Sequence, residues 1–404
     1  MSVSIWEGNK AQGVLDRLDK QNALLEVMAA SSLRDLASDW TGLGELANSG
    51  LFGDAYSIGD QFVDTWKDVA NNNQEYTYPY QLNHIGDVEL QDGEVLSNRP
   101  FLQAHYAHPF GVQFSHQRAF LKCPDGLAAG TYYITLGVSW GTHVQSGDVV
   151  CFTITQDIPN GGRVAGCYGA PDQAKSNWRI YVYSADGKTV LETVTPTFAA
   201  SGTSLGTMQA TERSANLNSI QEMAYGWNRW STSALRQYLN SSAGIGSWWT
   251  AQDEWDIAPD QLTTKAGFLS GCSEDFINAI KTVKVITYPN TVFDDKGGNT
   301  ADITYDKVFI PSLEQIFVQP QKSGEGEYHE YWKRKSGAST PLARSQTYPQ
   351  MITYGVENHA TAQFVRLRSA IRGDAYNAWI VNSSGNVSSR HASYALSFSP
   401  LVVL

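Results

Sequence analysis

A chain of 404 residues that is 42% hydrophobic and 17% charged has enough apolar material for two or three cores and too little charge to stay unfolded. Its formal net charge of −11 excludes a general nucleic-acid binder, because phosphate contacts need clustered Lys and Arg. Cys123, Cys151, Cys167 and Cys272 show no C-x-x-C spacing, which argues against a disulfide or zinc framework and for free thiols in a protein made in the cytoplasm.

The start, MSVSIWEGNKAQG, lacks a basic segment followed by an apolar run, and no stretch of about 18 apolar residues occurs. Neither a secretory signal nor a membrane span is therefore expected. From Ala11 to about Asn48 the pattern is helical, with Val14, Leu18, Leu25 and Met28 on one seam that also carries Gln21. The seam falls short of about three clean heptads, so two options stay open: self-association as a parallel bundle, or packing on its own domain. Gly42, Gly44, Gly50 and Gly53 break the pattern and close an N-terminal helical segment, residues 1–54.

Between 55 and 208, short runs such as GTYYITLGVSW, GDVVCFTITQ and NWRIYVYSADGKTVLETV alternate with turn signals, Asp186-Gly187 among them. Strands without helical interludes predict an antiparallel β-sandwich or jelly roll. His84, His105, His108, His116 and His143 fall in this region, but no H-x-H alternation joins them and no metal is expected. Ser204 in GTSLG fits G-x-S-x-G literally, yet it lacks the apolar strand that a nucleophile elbow requires.

Residues 209–404 read as a small α+β domain. Ser231 or Thr232 is placed to cap a helix through Ala234, Leu235, Tyr238 and Leu239. Ser273 is placed to cap a second one that turns Phe276, Ile277 and Ile280 inward. The oxygen-rich loop of Asp294, Asp295, Asn299 and Asp302 lacks the spacing of a calcium loop. Glu327, His329 and Glu330 have no evident catalytic partner, and Arg372-Gly373-Asp374 is too short a match to argue integrin binding. No cofactor and no enzymatic activity are expected.

The stretch YNAWIVNSSGNVSSRHASYALSF, from Tyr376 to Phe398, alternates with period two through Trp379 and Val381, turns at SSG and resumes at Val387. Leu396, Phe398, Leu401 and Val403 predict a final buried strand. Between these, Ser, Arg, His and Tyr accumulate as they do in binding loops, where Tyr gives rigid contact area and Arg a planar fork.

At this point the sequence resembles a known family. FVRLRSAIRGDAYNAWIVNSSGNVSSRHASYALSFSP, with YGWNRWSTSALRQYLNSS, WWTAQDEWDIAP, KAGFLSGCSEDFINAIKTVKV and YDKVFIPSLEQIF, is similar to the hypervariable proteins of gut bacteriophages that retroelements diversify. The resemblance is strong over 209–404; YSIGDQFVDTW and GLAAGTYYITLGVSW extend it more weakly over the β region. It implies a C-type lectin-like, formylglycine-generating-enzyme-like fold for the terminal domain, in which adenine substitution varies surface residues. The variable, ligand-contacting positions it implies are Asp374, Tyr376, Asn377, Asn386, Ser388, Ser389, Arg390, His391, Ser393 and Tyr394. Arg368, Ser369, Arg372 and Gly373 match its scaffold, with Arg368 tying loops.

The chain lacks the E-P-N, Q-P-D and W-N-D triplets of calcium-dependent sugar binding, and no cysteine follows Cys272, so neither sugar-lectin nor formylglycine chemistry is implied. The expectation is a non-enzymatic receptor-binding protein on a virion surface, sitting among other virion proteins and binding a bacterial cell-surface protein or glycan. A homo-oligomer, with a trimer among the options, would add avidity. The alternatives are a structural tail or decoration protein and, third, a carbohydrate-active β-sandwich enzyme.

Overall fold

Strict alternation in QFVDTWKD writes the first strand, β1 (Gln61–Asp68), whose Phe62, Asp64, Trp66 and Asp68 point inward while Gln61, Val63, Thr65 and Lys67 face solvent. The computed structural model describes residues 5–116, 119–137, 143–165, 174–185, 189–208, 227–252, 256–291, 300–373 and 377–404. Three helices precede β1: α1 (Ile5–Leu36), α2 (Trp40–Asn48) and α3 (Phe52–Ala55). The single helix expected over Ala11–Asn48 is thus interrupted before Trp40, because Asp39 adopts extended backbone and its carboxylate accepts from Gly42 N at 2.8 Å, starting α2 afresh. Leu18, Leu25 and Met28 of α1 are exposed, and α1 meets the rest of the chain near its end, where Arg34 Nε donates to Ala55 O at 2.6 Å.

β1 pairs antiparallel with β2 (Gln74–Glu89), and β2 with β3 (Val95–Ala104). Next comes a β module with β4 (Ala119–Cys123), β5 (Gly130–Leu136), β6 (Val149–Ile154), β7 (Gly162–Ala165), β8 (Ile180–Tyr183), β9 (Val190–Val194) and β10 (Thr203–Met208). Its two sheets, ordered β4-β7-β8-β9 and β10-β5-β6, share one core that includes Ile134, Phe152, Val164, Trp178 and Leu205. β10 departs from the antiparallel expectation by running parallel to β5. A parallel pair needs a long crossover, which the intervening strands supply. The hairpin signal at Asp186-Gly187 lies outside the described residues.

The remainder holds α4 (Ala234–Leu239), α5 (Glu274–Ala279), β11 (Val283–Thr287), β12 (Asp302–Asp306), α6 (Glu330–Ser336), β13 (Val365–Ala370), β14 (Asn377–Val381), β15 (Val387–His391) and β16 (Leu401–Val403). Ser273 caps α5 as expected, at 3.2 Å from Phe276 N, and Phe276 and Ile280 are buried while Ile277 is half-buried. α4 is capped by Ser233, with neither Ser231 nor Thr232 in that role; those two form a 3-10 turn, and Ser231 Oγ donates to Asp302 at 2.7 Å. The final strand is shorter than expected, since Leu396 is only half-buried.

The fold is mixed α+β with several antiparallel sheets and few helices, but its cores divide the chain differently from the expected 1–54, 55–208 and 209–404. β16 pairs with β3, Leu401 opposite Gln103 and Val403 opposite Phe101, making the sheet order β1-β2-β3-β16. One core joins Trp40 and Phe52 of the helical segment, Tyr78 and Tyr80 of β2, and Tyr238, Phe276, Phe398 and Val402. Arg99 binds this body together, donating to Ala47 O at 2.7 Å and Leu404 O at 2.5 Å. The β module is therefore an insertion, and two residues of the body on either side of it are adjacent: Trp227 N donates to Ser115 Oγ. Among the described residues no helix is long and apolar enough to cross a membrane.

Candidate functional site

The candidate positions cluster on the hairpin β14–β15, which is built from its turn. Asn382 Oδ1 accepts from Ser384 N at 2.9 Å, Ser384 Oγ at 2.8 Å and Asn386 N at 2.9 Å. Gly385 has φ +81°, and a Cβ there would collide with the Tyr348 carbonyl, so glycine is required. The register pairs Val381 with Val387, Ile380 with Ser388, Trp379 with Ser389, Ala378 with Arg390 and Asn377 with His391. Trp379, Val381 and Val387 share a core with Leu313, Phe317, Trp332 and Leu367.

Pleating places Ser389, His391 and Asn377 on the Trp379 face, and Ser388 and Arg390 on the opposite one. The candidates therefore do not make a single flat patch. Arg390 is exposed and its guanidinium lies 5.4 Å from the Phe364 ring; the His391 and Tyr394 rings meet at 5.0 Å. Asn377, Ser388, Ser389, His391 and Tyr394 are half-buried. Asn386 sits at the far end of the hairpin, where its Nδ2 donates to Thr347 Oγ1 at 2.9 Å. Ser393, expected on the surface, is buried at 4% exposure because the chain turns inward there and its carbonyl accepts from Gln113 Nε2 at 2.9 Å. Asp374 and Tyr376 lie outside the described residues. The flanks of that segment are held: Asn228 Nδ2 donates to Asn377 O at 2.7 Å, and Arg372 Nη1 donates to Pro289 O at 2.5 Å.

Two buried arginines on β13 organise this region. Arg368 donates to the carbonyl of Ile310 at 2.9 Å, to Gln315 Oε1 and to the carbonyl of Glu325, tying loops as the sequence suggested. Ser369 beside it donates to Glu325 and accepts from Leu313 N at 3.0 Å. Arg366 was not among the candidates. It is fully buried, and its Nη1 donates to Arg390 O at 2.9 Å while its Nη2 donates to His391 O and to Tyr394 O, the latter at 3.0 Å. Burial, with Arg390 nearby, lowers its pKa to about 9; burial lowers that of Arg368 to about 10, against the opposing pull of Glu325. The signal was available: VRLR places two arginines two residues apart in an otherwise apolar strand.

The histidines of the β region do not converge. His108 lies in the core with Nδ1 2.6 Å from Tyr78 Oη and Nε2 3.1 Å from Tyr238 Oη, and burial drives its pKa well below the usual 6.5. His105 pairs with Gln81 at 2.9 Å and His116 with Asp260 at 3.2 Å. Among the described residues, no three His, Cys, Asp or Glu side chains are grouped to hold a metal ion. Asp302, expected in an oxygen-rich loop, is buried and paired with Arg229 at 2.5 Å; Asp294, Asp295 and Asn299 lie outside the described residues. Ser204 sits within β10, not on an elbow. Cys123, Cys151 and Cys272 are free thiols, Cys123 pushed up to about 12 by burial.

Residues 193–403, just over half of the chain, match the family described as "Domain of unknown function (DUF6273)". The chain belongs to the DUF6273 family. No curated protein and no solved structure matches it. The DUF6273 region begins inside β9, closes with β16 and contains every candidate position together with Arg366 and Arg368.

Proposed function

We propose that this protein recognises a molecule on a bacterial cell surface, a protein or a glycan, through side chains of the β14–β15 hairpin and the turn after it. In this reading the terminal region is a C-type lectin-like platform carried on a phage virion among other virion proteins, and a retroelement varies its contact residues. The protein is a binder, not an enzyme. The observation that carries the reading is how Arg366 holds the 390–394 segment: it contacts main-chain carbonyls alone. Carbonyls are the same whatever side chain follows, so residues 390, 391 and 394 can be exchanged without loss of these anchors. A late strand returning to an early sheet and a separate three-stranded sheet carrying the candidates are also consistent with the lectin-like platform.

The exposed stripe of Leu18, Leu25 and Met28 on α1 suits self-association into a small bundle, a trimer included, which would multiply weak single-site contacts. The test is binding of purified protein to bacterial cells and glycan arrays, compared with a triple variant Arg390→Ala, His391→Ala, Tyr394→Ala. Lost binding with unchanged thermal stability supports the site; undiminished binding rejects it. A reverse-transcriptase gene beside the coding sequence, with an adenine-richer near-copy of the terminal segment, would support diversification, and the absence of both would remove it.

A further inference from the structure

A cavity of about 200 Å³ opens between β2, β11 and the segment leading into α6, and none of the hairpin candidates lines it. Val88, Phe101, Val283, Val285, Ile286 and Phe309 supply its apolar wall, and charged side chains stand around them. Among the polar side chains that also line it, His329 is 1% exposed. The His329 ring stacks on that of His84 at 5.1 Å with 10° between planes and meets Phe101 edge-on at 5.1 Å. Neither ring nitrogen of His329 has a hydrogen-bond partner among the described residues, although the residue stands at the N-cap of α6, where a side chain ordinarily caps. A buried donor and a buried acceptor left unused in a pocket wall are costly to folding and therefore informative.

Most charged groups around the cavity already have polar partners. Glu327 lies 2.8 Å from His84 Nε2, Glu89 2.7 Å from Lys284 Nζ, and buried Glu325 accepts from Tyr288 N at 2.8 Å and from Ser369 Oγ. Arg368 Nη1 and Nη2 donate to carbonyls and Gln315, while its Nε has no hydrogen-bond partner among the described residues. Carboxylates of Asp87, Glu89, Glu325 and Glu327 and the cations of Lys284 and Arg368 all line the cavity, so an added charge of either sign meets like charges there and loses its hydration. Burial, His84 and Arg368 all keep His329 uncharged, so it presents one N–H and one lone pair.

We propose that this cavity is a second binding site, for a small uncharged aromatic ring bearing a hydroxyl or carboxamide, which Phe101 and Phe309 enclose and His329 orients. The volume lies below the roughly 300–1,000 Å³ of drug-sized sites and suits a single substituted ring. The site stands independently of the cell-surface reading above.

Phenol, benzamide, benzoate and benzylamine, titrated into the full chain by ligand-observed NMR, make the test. Benzamide and phenol are expected to bind saturably, and benzoate and benzylamine at least tenfold more weakly. The His329 imidazole nitrogen signals should shift on benzamide saturation in the unmodified protein, a readout that does not depend on a variant folding. His329→Phe, which keeps the ring packing, should weaken benzamide at least tenfold, and Val285→Phe, which narrows the cavity, should do the same. No saturable binding of either neutral ring, equal binding of the charged ones, unmoved His329 signals, or full affinity in folded His329→Phe would each overturn the assignment.

Discussion

The two ends of the β14–β15 hairpin are held by opposite means. At the turn, the Asn382 side chain supplies the acceptor for three donors and Gly385 supplies a backbone conformation other residues resist, so geometry depends on which residues stand there. At the other end, Arg366 reaches in from β13 and takes hold of the carbonyls of residues 390, 391 and 394. There the geometry depends on the anchor and hardly on the anchored side chains. The same element thus has one end that constrains its sequence and one that releases it, and this difference is what makes the second end suited to changing contacts.

The comparison breaks most directly at the anchor. Arg366→Met should destabilise the protein by about 3 kcal/mol in chemical denaturation, because three carbonyls lose their buried donor at once. Arg366→Lys should recover only part of that loss, since a point ammonium cannot span the three acceptors. Gly385→Ala comes next, at about 2 kcal/mol, from a positive φ forced on a residue with a Cβ. Little or no loss in Gly385→Ala would show that the turn end is as permissive as the other.

Apart from these substitutions stands an acid effect that lies outside the hairpin and so serves as its control. His108 and His329 are held well below 6.5 in the folded chain, chiefly by burial. Unfolding lets them bind protons near their ordinary pKa, so their contribution is complete at neutral pH and is lost as pH falls below about 6.5, by up to about 1.4 kcal/mol per pH unit for each. Denaturation midpoints followed from pH 7 to 5 should show this slope unchanged in Arg390→Ala and flatter in His108→Phe. The smallest effects belong to Arg390→Ala and Tyr394→Ala, each expected within about 0.5 kcal/mol of the parent in stability. A loss of 2 kcal/mol or more in either would assign that side chain to the scaffold.

Local pattern made much of this legible. The Ser273 cap, the inward Phe276 and Ile280, the strands around Ile134 and Phe152, and the Trp379, Val381 and Val387 frame follow from spacing and capping chemistry. Period two also carried information that residue type obscured: Arg390 and His391 are consecutive on a strand and so must face opposite ways. The pairing of β16 with β3 was not legible, because two short apolar segments about 300 residues apart carry no local mark of each other. Arg366 escaped because arginine is ordinarily a surface residue, and its burial becomes intelligible only once the carbonyls that surround it are known.

The hydrogen bond between Trp227 and Ser115 has a kinetic consequence. Once the inserted strands have collapsed on their own core, the body no longer closes a loop of more than a hundred residues to bring β3 toward α4. It closes a shorter one, and the entropic barrier of that search falls accordingly. Connectivity then favours an order of folding, with the collapsed module acting as a clasp that shortens the search between β3 and α4.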